Sequence, residues 1–134
     1  MRRFVTLFAG FVFGVMVGLA GISAARAADV SPYSPAAFAA AQAADQPILV
    51  AIHAAWGPVC AAQKPFLQQI EAQGAYKNLR VLLVDFDTQK DVVRQMGATM
   101  QSTLVVFHGK QETARSVGDT NADSIMATVR RSLV

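Results

Sequence analysis

The sequence predicts an α/β domain, a mixed four-stranded sheet with helices on both faces, and three features carry that expectation. Ile48–Ile52 and Val81–Phe86 are continuous apolar runs, the mark of strands buried on both faces. A helix-patterned stretch separates them, so they form a parallel pair. Thr103–Phe107 then turns back through His108-Gly109-Lys110-Gln111 into Glu112–Val117, which adds an antiparallel hairpin. The domain is expected to span residues 28–134, behind a leader at 1–27.

The leader comes first in the chain. Met1-Arg2-Arg3 is a short basic start, and Phe4 to Ala25 runs 22 residues without a charge. The run closes on Ala25-Arg26-Ala27, the small-x-small pattern that a signal peptidase cuts after. A cleaved signal peptide is expected, with an uncleaved anchor as the alternative, since 22 helical residues reach about 33 Å. Either way Arg2 and Arg3 hold the N-terminus in the cytoplasm and the domain lies across the membrane. The expected location is periplasmic or secreted, or, for an anchor, on the inner membrane facing the periplasm. Arg2, Arg3 and Arg26 also account for the whole +3 formal charge, leaving nine basic and nine acidic residues in the domain. A neutral domain does not point to nucleic acid.

Each element of the domain has its own signal. Ser34 caps and Pro35 opens a short alanine-rich helix over Ala36–Ala44, which Pro47 ends before the first strand. Pro58 opens a longer helix to about Gln73, with Val59, Phe66, Leu67 and Ile70 at helical spacing and a kink expected at Pro65. Thr88 with Asp91 reads as a capping box for a short helix that Gly97 closes. Thr120 with Asp123 repeats the pattern before the last helix, whose buried stripe is Ile125, Met126 and Val129.

Cys60 is the chain's single cysteine. A domain of this size buries a core without disulfides, so the thiol is inert and buried, a site of intermolecular pairing, or reactive. Its surroundings carry a resemblance. Ile48 to Lys64, ILVAIHAAWGPVCAAQK, resembles the active-site segment of thioredoxins and of bacterial exported thioredoxin-like proteins, in which a buried strand leads to Trp-Cys-x-x-Cys at a helix start. Val81–Asp87, Gly97–Phe107 and Val117-Gly118 fit the same family. The resemblance covers residues 34–134 and implies a thioredoxin-like fold.

It also implies what is missing. In the family the first cysteine, at the helix N-terminus, attacks a disulfide as a thiolate, and the second resolves the mixed disulfide. Aligned on Trp56, the first position is Gly57 and the second is Cys60, giving Gly57-Pro58-Val59-Cys60, a degenerate CxxC. The family's buried carboxylate falls at Ala51 and its cis-proline at Ser102, where a trans Gln101–Ser102 peptide is expected. Ser102 retains a backbone and a hydroxyl to offer a bound peptide.

The remaining candidates each carry a plainer reading. Trp56 is a packing aromatic or a partner contact. His53 polarises the thiol or is a hydrogen-bonded residue under the helix; two donors do not close a metal site, and no metal is expected. His108 reads as exposed in the hairpin turn. Asp85 and Asp87 share a strand face, Asp87 as the cap of the next helix and Asp85 as a substitute for the lost carboxylate. Gln63 and Lys64 read as solvated helix residues.

Two functions follow. One is a redox-impaired module that binds a protein or peptide partner through Trp56, Gly57, Pro58, Ser102 and Thr103. The other is a thiol-disulfide oxidoreductase or monothiol enzyme with Cys60 as its catalytic residue. Neither requires a cofactor, and contact with a membrane is expected only through an uncleaved leader. The leader reading is tested by N-terminal sequencing of protein from the producing cell, which should begin at Ala28. A membrane-bound form that keeps Met1 indicates an anchor, and full-length soluble protein in the cytoplasm refutes export.

Overall fold

The computed structural model describes residues 27–134, so the leader expectation falls on residues outside the described part. Among the described residues, no helix is long and apolar enough to cross a membrane. The elements are β1 (Asp29–Pro32), α1 (Pro35–Ala43), β2 (Pro47–His53), α2 (Pro58–Glu71), β3 (Arg80–Asp85), α3 (Lys90–Gln95), β4 (Thr103–His108), β5 (Gln111–Val117) and α4 (Ala122–Arg130).

The sheet has five strands in the order β1-β3-β2-β4-β5 rather than the four expected. The parallel β2/β3 pair and the antiparallel β4/β5 hairpin lie where the apolar runs put them. The added strand, β1, is short and polar, and backbone pairing rather than side-chain pattern makes it a strand. It runs parallel to β3, with Asp29 N donating to Leu79 O and Tyr33 N to Leu83 O. As an edge strand it tolerates Pro32.

β2 lies at the centre and is buried from Ile48 to Ile52. Its side chains alternate between two cores. Ile48, Val50 and Ile52 pack with Ala41 of α1 and Val93 of α3, while Leu49 and Ala51 pack with Ile70 of α2 and with Ile125 and Val129 of α4. The helices therefore cover both faces, α1 and α3 on one and α2 and α4 on the other.

The helix starts differ in detail from the sequence reading. Ser34 caps α1 as expected, accepting from Ala37 N at 3.1 Å. α2 begins at Pro58 and continues through Pro65 to Glu71, ending two residues before Gln73. The Thr88–Asp91 box does not form. Gln89 precedes α3 without a side-chain cap, and the Asp85 carboxylate closes the turn instead, accepting from Asp87 N and Thr88 N. At α4 the cap is Asn121, one residue beyond Thr120, with Oδ1 accepting from Ser124 N at 3.0 Å. Asn121→Ala should therefore lower stability by about 1 kcal/mol in denaturant unfolding. Thr120→Ala should leave it nearly unchanged, and the reverse ranking would restore the sequence reading.

Candidate functional site

The site lies where β2 ends and α2 begins. Ala54 follows the strand, Gly57 N donates to Ala54 O at 3.0 Å, and Pro58 takes the first helical position. Gly57 is the N-cap residue and has no side chain to cap the free amides.

Cys60, in the first turn of α2, is partly buried. Its Sγ accepts from Ala54 N at 3.4 Å and lies 2.8 Å from Ser102 Oγ. A Cβ added to Gly57 would stand 3.3 Å from Cys60 Sγ. Across a disulfide, the Cβ of one cysteine lies about 3 Å from the sulfur of the other. The missing side chain thus belongs directly against the thiol that remains. With no second cysteine in the chain, Cys60 has no intramolecular partner for a disulfide.

Ser102 faces the thiol from the loop before β4. Its peptide bonds are trans, as expected. Its φ of 61° lies in the left-handed region, which costs a non-glycine residue roughly 1–2 kcal/mol. Three hydrogen bonds to its backbone hold it there. Its N donates to Ile52 O at 2.7 Å, and its O accepts from Gly118 N at 3.0 Å and from Gln63 Nε2 at 3.2 Å. Ser102 is 2% exposed, its backbone N and O are bonded within the chain, and its hydroxyl faces the Cys60 sulfur. Thr103 is likewise buried, with Oγ1 donating to Met100 O at 2.7 Å.

What the surface offers instead is apolar. Trp56 is 60% exposed and Met100 52%. Trp56 is not loose, because its Nε1 donates to Asp87 Oδ2 at 2.7 Å. That bond replaces the helix-capping role expected of Asp87. Pro58 is exposed beside Trp56, whereas Gly57 is buried.

Several other candidates move away from the thiol. Asp85 pairs with His53 across the β2/β3 ladder and spends its carboxylate on the α3 turn, so it does not replace the carboxylate absent at Ala51. His108 lies at the far end of β4 and is held rather than simply exposed. Its Nδ1 bonds Ser132 O at 2.8 Å, which requires a proton on that nitrogen. Gln63 is buried, not solvated, and its Nε2 reaches Asp119 O at 2.8 Å as well as Ser102 O. Its position was readable: Cys60, Gln63, Leu67 and Ile70 follow the spacing of one helix face.

The thioredoxin family model matches residues 29–131. The chain belongs to the thioredoxin family. It is similar to a thioredoxin of Chlamydia muridarum (strain MoPn / Nigg), with 29% identity over 84 residues, 63% of this chain and 80% of that one. Among solved structures it is similar to Trxlp from Edwardsiella tarda EIB202, at 42% identity and a TM-score of 0.74, covering 75% of this chain and 98% of that one. The thioredoxin of Malassezia sympodialis (Mala s 13) shares the fold, with a TM-score of 0.70 at 20% identity, over 81% of this chain and 94% of that one. Thioredoxin-family membership makes this chain a relative of thiol-disulfide oxidoreductases that carries a single cysteine.

The thioredoxin turn after β3 yields a pH prediction. Hydrogen bonds from the Thr88 amide, then the Asp87 amide, hold the Asp85 carboxyl below its ordinary value of 3.8, with smaller help from the Thr88 hydroxyl and the His53 charge. A lowered folded value means that this contribution to stability is present above 3.8 and is lost as pH falls through the folded value. Thermal melts should show wild type more stable than Asp85→Asn at neutral pH, with the gap closing below 3.8. A gap independent of pH contradicts the assignment.

Proposed function

We propose that this chain is an exported, redox-impaired member of the thioredoxin family that holds a protein or peptide partner on the face around Trp56, Gly57 and Pro58. One observation carries the reading: the position against Cys60 where an attacking sulfur would stand is Gly57, whose added Cβ would lie 3.3 Å from the remaining thiol. Thioredoxin chemistry needs one sulfur to attack and another to resolve, and a chain with one cysteine cannot do both. Ser102 and the Ala54 amide occupy that remaining sulfur, which favours a held thiol over a working nucleophile.

The binding half of the proposal draws on Trp56. An indole that is largely exposed, yet fixed by its bond to Asp87, presents apolar area with little conformational freedom left to lose on contact. Met100, in the loop before β4, is a second exposed apolar side chain, and Ser102 acts from the same loop as support. The leader composition supports a periplasmic or secreted location.

Catalysed reduction of insulin by dithiothreitol separates this reading from the enzyme reading. Wild type and Cys60→Ser should both run at the uncatalysed rate. Turnover by wild type that Cys60→Ser abolishes makes Cys60 a working nucleophile and replaces the binding reading with a monothiol enzyme.

A further inference from the structure

Gln63 stands three residues beyond Cys60 on α2, on the same helix face, and is 3% exposed. An amide buried on an apolar stripe is tolerated only when it is paired. Both of its contacts, Ser102 O and Asp119 O, are carbonyl oxygens, so they fix the side chain with nitrogen inward and use its two amide protons. The two acceptors come from different loops, one before β4 and one before α4, and Gln63 ties both to α2.

The bond to Ser102 has a consequence for the thiol. Ser102 sits in the left-handed region, which an L residue leaves readily unless its neighbours hold it. Its carbonyl is held by Gln63 and by Gly118 N, while its hydroxyl lies 2.8 Å from Cys60 Sγ. Carbonyl and hydroxyl belong to one residue, so the amide that fixes the first also fixes the backbone from which the second reaches the sulfur. We propose that Gln63 is a positioning residue that latches Ser102 over the Cys60 sulfur and thereby slows the reaction of that thiol with electrophiles from solution. The proposal rests on the reading of Cys60 as a held thiol. It goes further by naming the side chain that does the holding.

The test is the rate at which iodoacetamide alkylates Cys60 in the native chain. In that step the sulfur forms a bond to carbon, iodide leaves with the bonding pair, and the thiol proton passes to the buffer. Gln63→Leu keeps the size of the side chain and removes both donors, and should raise the rate about tenfold, the factor that loss of one to two hydrogen bonds allows. Ser102→Ala removes only the hydroxyl and should also raise it, which keeps the proposal testable if Gln63→Leu does not fold. Val129→Ala, in the α4 core, lowers global stability without touching either loop and should leave the rate near that of wild type. An unchanged rate in both Gln63→Leu and Ser102→Ala overturns the latch. So does a rise in Val129→Ala equal to that in Gln63→Leu, because the route is then global unfolding. Insulin turnover by wild type would defeat the functional reading alone, since the dependence of alkylation on Gln63 is read independently.

Discussion

The hydrogen bonds that β2 makes to β3 on one side and to β4 on the other leave that strand without a free edge, and its apolar side chains leave it without a solvent-facing surface. Both cores are built on it, with odd and even positions serving opposite layers. Its C-terminal end then has little freedom. Ile52 O receives the Ser102 amide, His53 O receives the Phe86 amide, and Ala54 receives Gly57 N while giving its own amide to the Cys60 sulfur. The site is thus an outgrowth of the central strand, positioned by the same ladder that makes the sheet.

That origin explains how the chain keeps the strand-to-helix turn of a thioredoxin with a single cysteine on it. The helix start, the remaining thiol and the loop before β4 are all placed by backbone bonds that do not depend on the identity of residue 57. Removing one side chain at the helix start therefore subtracts a sulfur and leaves its surroundings standing. The sulfur that stays lies against Ser102 and the Ala54 amide, and Trp56, before the helix, is exposed and bonded to Asp87.

Much of the fold was legible because the strongest signals in the sequence are the ones that govern burial. The runs Ile48–Ile52 and Val81–Phe86 gave β2 and β3, and the Gly109-Lys110 turn gave the hairpin. β1 was not legible, since Asp29-Val30-Ser31-Pro32 has no apolar alternation and becomes a strand only through β3. The caps of α3 and α4 slipped because Asp85, Asn121 and Thr120 are all competent oxygens, and choosing among them takes backbone geometry. At the site, the Gly57–Cys60 relation was readable through the resemblance to thioredoxins, aligned on Trp56. The inward turn of Ser102 and the Trp56–Asp87 bond were not, because each joins segments distant in the chain. Gln63 lay between these cases: its place on the buried face was in the periodicity, but polarity argued for solvent, and two carbonyl acceptors outweighed it.

The central claim is that Gly57 stands where the thiol partner of Cys60 is missing, and a single substitution reaches it most directly. Gly57→Cys places a sulfur at the N-terminus of α2, where free amides favour a thiolate, within bonding reach of Cys60. Free-thiol titration of the monomeric variant after mild oxidation should fall from two to zero thiols per chain, return to two on reduction, and accompany a gain of disulfide reductase activity over wild type. Two thiols that survive oxidation in a folded monomer would show that positions 57 and 60 do not form the broken pair and would contradict the account.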